Sequence, residues 1–191
     1  MKNPVARSFV KSHPIAGLAV AALAFVGAMA PAPSARADND ATRAFIGLKV
    51  APVPLNLRGL DKSMVGLGSY LVTVATCSGC HSNPEFAPGS NPFNGDPTSG
   101  VVQTAYLAGG VSFGPGFCSA NITPDRYGRP AGLSQAQFIS TMRTGHDHRD
   151  PPGDLLQVMP WPYFRNLTTG DLQAIYAYLQ AIPANRTPPC P

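Results

Sequence analysis

Glutamate is all but missing from this chain: Glu85 is the only one, and charged residues of every kind fill 13% of its 191 positions. The formal charge is +4, yet Lys2, Arg7, Lys11 and Arg36 supply the whole excess, and residues 38–191 hold ten basic and ten acidic side chains. That balance gives no argument for nucleic acid or an anionic membrane as a partner. Long apolar runs are lacking after residue 30, so no later stretch reaches the ~20 apolar residues of a membrane span. Cysteine is limited to four residues. Proline and glycine, in contrast, are plentiful at 21 and 19 residues. Together with the missing glutamate they predict an all-α domain of a few helices joined by long ordered loops, with little sheet.

The start of the chain reads as an address. Lys2, Arg7, Lys11 and His13 precede an apolar run over residues 15–30, and Ala35-Arg36-Ala37 places small residues where a signal peptidase cuts. The run is shorter than a bilayer span and is followed by Pro31 and Pro33, which favours cleavage before Asp38 over a retained anchor. Residues 1–37 are therefore expected to be a cleaved signal peptide, and the product periplasmic or otherwise exported. About 154 residues remain, enough for one domain with a modest core. The stretch 38–61, which carries Pro52 and Pro54, is expected to be an extended arm, and 62–191 the domain proper.

Three amphipathic segments follow. Met64, Leu67, Leu71 and Val74 predict a helix over 62–76. Gly66 and Gly68 within it cost helix propensity, which close approach of another helix would explain. Ser134 with Gln137 forms a capping box for a helix that stops at Gly145, with Phe138, Ile139 and Met142 on its buried face. Thr168 with Asp171 opens the last helix, whose apolar positions Leu172, Ile175, Tyr176, Leu179 and Ile182 run to the stop at Pro183. Between residues 81 and 134 the pattern is loop, with a short β-hairpin expected over 106–113 around Gly109-Gly110. A loop of that length is unusual unless it wraps something.

The first helix leads into Cys77-Ser78-Gly79-Cys80-His81. A zinc site needs a second ligand pair at matched spacing, and none follows. A thioredoxin-like pair opens a helix after a buried strand, whereas here a helix runs into the motif. Two thiols two residues apart, with a histidine directly after, have the spacing for covalent attachment of one c-type haem. The thiols add across its vinyl groups and the imidazole takes one face of the iron. A large apolar body of this kind gives the long loops something to pack on.

Candidates for the sixth ligand are Met64, Met142, Met159, His146 and His148. Met64 and Met142 fall on apolar helix faces, where methionine is usually core. His146 and His148 sit in a polar segment with no third ligand spaced for metal, so they read as a solvated loop, with a replacement axial ligand as the alternative. Met159 is favoured, because Pro160 and Pro162 stiffen its backbone and Met/His ligation suits electron carriers. The two remaining cysteines, Cys118 and Cys190, are expected to pair in an oxidising compartment and close a long loop. Thiolate ligation of the iron by Cys118 is the alternative.

Several further stretches stand at set offsets from the haem motif: Gly68-Ser69-Tyr70-Leu71-Val72, Ala108-Gly109-Gly110, Asn121-Ile122-Thr123-Pro124-Asp125, Met159-Pro160-Trp161 and Ala177-Tyr178-Leu179. In these the chain resembles the class I c-type cytochromes. Within them it is similar, over residues 66–183, to the cytochrome c domains of membrane-bound sugar and alcohol dehydrogenase subunits. The resemblance implies the class I cytochrome c fold round one haem c, with Met159 as distal ligand and Asn121 and Trp161 lining the haem crevice. It also implies a proline carbonyl accepting from the proximal imidazole, a role for which Pro84, Pro88 and Pro92 compete. The chain departs from those subunits in carrying one CxxCH motif where they have three domains, and in the segment 145–154. The implied function is single-electron transfer between redox partner proteins, without catalysis. The alternatives are a haem enzyme with an open or labile sixth position, sulfur-compound oxidation included, and a fixed subunit of a dehydrogenase or respiratory complex.

Overall fold

In the computed structural model, which describes residues 35–96 and 100–190, helix α2 (Lys62–Val74) is gripped from two sides. Helix α1 (Ala35–Val50) crosses it at Gly66, where a Cβ would run into the Ala44 carbonyl. Helix α6 (Thr169–Ala181) crosses it at Gly68, where a Cβ would strike Ala174 and come within 2.7 Å of Tyr178 Cβ. The propensity cost, about 1 kcal/mol per glycine, is set against backbone-to-backbone packing that any side chain would block. Val65, Val72, Leu172 and Leu179 lie in the same core with almost no exposure, each worth about 2 kcal/mol of burial. Tyr178 is buried beside them and shares a hydrogen bond of 3.0 Å with the Tyr106 hydroxyl.

The remaining helices are α3 (Cys77–His81), α4 (Gln135–Thr144) and the short α5 (Trp161–Phe164). The expected capping boxes are present: Ser134 with Gln137 opens α4, and Thr168 with Asp171 opens α6. Gly145, at φ 76°, ends α4. Tyr176 ties α6 to the approach of α4 by donating to the Leu133 carbonyl (2.9 Å) and packing its ring 5.7 Å from Phe138. Among the described residues the fold is all-α; backbone pairing outside helices is confined to isolated bridges. No described helix is long and apolar enough to cross a membrane. The expected signal peptide lies outside the described residues but for 35–37.

Two expectations need correction. Residues 38–61 are not an extended arm throughout, because 38–50 belong to α1. Pro52 and Pro54 end that helix rather than preventing it, and Gly47 lets it lie against Gly66 and Tyr70. The remainder is irregular, with a turn at 58–60, and is joined to α6 by the Asn56 N–H donating to the Ala181 carbonyl (2.8 Å).

The hairpin is also misplaced. Gly109 and Gly110 have positive φ, 77° and 83°, but their N–H groups donate to the His81 and Ser119 carbonyls (2.7 and 3.0 Å) instead of closing a turn. A Cβ on Gly109 would sit 2.6 Å from the Ala120 backbone, so glycine is there for close approach. The antiparallel reversal occurs over 111–119, where Ser119 and Phe113 N–H donate to Val111 and Phe117 carbonyls at 2.9 Å each.

Candidate haem site

Helix α2 gives out at Ala75, and the chain turns through Thr76 at φ 53° before α3 begins. A left-handed threonine is the joint, so the motif opens its own short helix instead of ending the first. Positions i, i+3 and i+4 share one helix face, and Cys77, Cys80 and His81 all line one cavity of about 700 Å³. That volume is typical of a cofactor pocket. Its walls are mostly apolar, with Val72 from α2, Leu133 and Phe138 from the α4 region, and Ile175 and Leu179 from α6.

His81 is 9% exposed, and its Nδ1 lies 2.8 Å from the Ala120 carbonyl oxygen. A carbonyl only accepts, so Nδ1 carries the proton and Nε2 of the neutral ring keeps its lone pair. Burial lowers the His81 pKa and outweighs the opposing effect of the Ala120 bond, which holds the ring neutral. This is the form in which imidazole binds a metal, with its second nitrogen anchored. The anchor is not Pro84, Pro88 or Pro92. The bridge between Ser82 and Gly109, and the close approach of Gly109 to Ala120, bring residues 119–122 onto the histidine from far along the chain.

Burial, then the neighbouring Cys80, pushes the Cys77 thiol up to about 12. A protonated thiol is the opposite of the low-pKa thiolate of a redox CxxC pair. It suits addition across a vinyl group, in which the S–H is consumed. Among the described residues no three His, Cys, Asp or Glu side chains gather as a metal site. The donor set and the apolar walls therefore fit a c-type haem.

Met159 lines the same cavity from between two tight turns. Its N–H donates to the Gln157 carbonyl (2.6 Å) across Val158 at φ 63°, and its carbonyl accepts from the Trp161 N–H (2.8 Å) across Pro160. A β-branched residue at positive φ costs roughly 1–2 kcal/mol, and such strain gathers at ligand clamps. Met142, on α4 and 7% exposed, lines the cavity too; Met64 does not.

His146 and His148 are exposed and stay out of the cavity wall. Between them Asp147 is buried and accepts from Arg149 Nε (2.9 Å), while Arg149 Nη1 donates to the Ala131 carbonyl (2.6 Å). The Arg149 hydrogen bonds hold the Asp147 carboxyl below the usual carboxylate range, against its burial. Both residues line the cavity. Sequence reasoning missed them, since an Asp two residues before an Arg is too common a pattern to single out.

Asn121 and Trp161 do not line the cavity, contrary to what the resemblance implies. The Asn121 Nδ2 donates to the Asn185 carbonyl (2.8 Å), and its Oδ1 accepts from the Thr123 N–H (2.8 Å). Its amide is thus taken up by the C-terminal tail and its own turn. Trp161 packs on Gly145, where a Cβ would run into the indole ring. Cys118 does line the cavity, and its Cα is 6.2 Å from that of Cys190, within the span of a disulfide.

No family model matches the chain. The alcohol dehydrogenase (quinone) cytochrome c subunit of Gluconacetobacter polyoxogenes is 28% identical over 118 residues, which cover 62% of this chain and 22% of that protein. The gluconate 2-dehydrogenase cytochrome c subunit of Pantoea cypripedii is 30% identical over 120 residues, 62% of this chain and 23% of that one. This chain resembles a cytochrome c domain. The cytochrome c-like chain also aligns at 30% identity over 148 residues with one of the nicotinate dehydrogenase polypeptides of Pseudomonas putida, covering 72% of itself and 11% of that protein. It spans about a fifth of the length of the cytochrome c subunits it matches. In this cytochrome c-like frame, segments from α2, α3, α4, α6 and the 145–160 loop share one cavity.

Proposed function

We propose that the chain is an exported electron carrier, a c-type cytochrome with one haem c held as thioethers by Cys77 and Cys80 and bound at iron by His81 and Met159. The observation that carries this reading is the convergence of two motif thiols, a buried neutral imidazole and a methionine on one apolar cavity of about 700 Å³. When bound, haem supplies a one-electron ferric/ferrous couple. Cys77 and Cys80 anchor the group, and Ala120 orients His81 so that Nε2 is the ligand atom. A thioether from Met159 favours the ferrous state and raises the potential. The apolar walls exclude water, and ligands held by short turns keep reorganisation small.

Phe113, Phe117, Leu155 and Val158 line the cavity and are also exposed, beside the exposed Asp150 and Asp154, so its mouth joins apolar and charged groups suited to weak, transient docking of redox partner proteins. Residues 1–37 act as the signal peptide and Cys118–Cys190 as a disulfide. Sequencing the mature N-terminus should find Asp38, and alkylation of both cysteines in the unreduced protein would rule the bond out.

The names of the relatives favour a second reading, in which the chain is the fixed electron-accepting subunit of a dehydrogenase. A freely soluble, monomeric mature protein argues against it. The test of the carrier itself is a redox titration followed by absorbance, repeated under carbon monoxide and cyanide. A single one-electron wave of c-type spectrum, indifferent to both, is expected. Ready binding of either ligand would point to a haem enzyme with an open sixth position.

A further inference from the structure

We infer that the C-terminal tail, residues 183–190, is a strap that sets the hydrogen bond on His81, with Asn121 and the Cys118–Cys190 pair as positioning residues for that ligand. The inference rests on the haem reading above. Ala120, whose carbonyl accepts from His81 Nδ1 (2.8 Å), belongs to a two-layer piece of loop. Its layers are joined by the Ile122 N–H donating to Leu107 and the Gly110 N–H donating to Ser119, both at 3.0 Å.

The tail crosses this piece at successive points. Asn121 Nδ2 donates to the Asn185 carbonyl (2.8 Å) and lies 3.2 Å from Thr187 Oγ1. The Asn185 N–H donates to Thr123 Oγ1 (3.1 Å), and its Nδ2 donates to the Gln103 and Tyr106 carbonyls (2.9 and 3.2 Å). Gly110 lies against Pro188, where a Cβ would sit 3.1 Å from its carbonyl oxygen. Cys190 then meets Cys118, two residues before Ala120. Pro183, Pro188 and Pro189 keep the tail from continuing α6 as helix, so it lies as an extended band across the loop.

An Nδ1–H bond to a carbonyl makes the imidazole a stronger donor at Nε2, which stabilises ferric over ferrous iron. Loosening the strap lets Ala120 drift, weakens that donation and raises the potential. The tail's hydrogen bonds among the described residues fall on segment 103–123, so the effect is expected on His81's face of the site.

The experiment compares Asn121→Ala, the double variant Cys118→Ser/Cys190→Ser, and their combination, each as the full mature protein. Two quantities are read: hydrogen exchange at the Gly109 and Ile122 amides, and the reduction potential. Exchange at both amides should rise by at least tenfold. The oxidised-to-reduced ratio at fixed poise should fall by up to about tenfold, which is ~59 mV upward for one electron. The combined variant should move little further than either alone, because both release the same strap. Unchanged exchange, or faster exchange with an unmoved potential, would overturn the inference, the latter leaving the tail a purely structural tie. Failure of the haem reading itself is seen separately, as an absence of c-type absorbance in the unmutated protein before any variant is made.

Discussion

On one side of the cavity His81 sits on a helix, its ring is buried, its Nδ1 is bonded to the Ala120 carbonyl, and its own carbonyl accepts from the Gly109 N–H. On the other side Met159 sits on a loop of largely exposed residues, between two tight turns, one of them strained at Val158. One face is built from satisfied hydrogen bonds beside the two motif thiols. The other is tied down by the Asp147–Arg149 ion pair, by Arg149 donating to the Ala131 carbonyl and by the Leu156 N–H donating to the Gly145 carbonyl, with a strained turn at Val158. The contrast teaches that the two proposed ligand residues differ in how firmly the fold holds them, and that a bond from Met159 should be lost before one from His81 under stress.

The largest effect should come from removing the covalent anchors. Cys77→Ala with Cys80→Ala is expected to abolish covalent haem altogether, read as loss of haem stain on a denaturing gel. Next comes the frame that both faces share. Gly68→Ala drives a Cβ into Ala174 and Tyr178 and should cost about 3 kcal/mol in urea unfolding. Gly59→Ala, at φ 72° but in open space, should cost only ~1 kcal/mol. Equal costs would mean that the α2–α6 crossing is not as tight as described.

Acid should separate the two faces. The Asp147 carboxyl is held below its ordinary value, so its stabilisation is fully present above the unfolded value near 4 and is lost as pH falls through the folded one. Arg149→Gln should cost about 1 kcal/mol at pH 7, and that difference should shrink as pH drops below the carboxylate range. A difference independent of pH would remove the ion pair from the account of the distal loop. The smallest change is Val158→Gly. It relieves the positive-φ strain but adds unfolded-state freedom, for a net gain of about 0.5 kcal/mol in stability.

What was legible beforehand is the chemistry that lives in short spacing. The Ser134–Gln137 and Thr168–Asp171 boxes state their roles within a few residues, and the CxxCH residues and the methionine before Pro160, marked by short spacing, do line one cavity. Gly66 and Gly68 announced close helix approach, though not that each serves a different neighbour. The contacts that escaped are made across long separations. Ala120 accepts from His81 across 39 residues, and its side chain says nothing about a carbonyl. Asn121 was assigned to the crevice by resemblance, yet its amide is drawn away by Asn185, 64 residues on. Helix α1 was hidden because the prolines behind it dominate the local pattern, while its own partner, Gly66, reveals the contact only once both are placed.

The central proposal is that Met159, not Met142, would bind the haem iron together with His81, although both thioethers line the cavity. The direct measurement is the near-infrared absorption of the ferric protein in Met159→Ala and Met142→Ala. The methionine-to-iron band is expected to vanish in Met159→Ala and to persist in Met142→Ala. A band that survives in Met159→Ala would contradict the account.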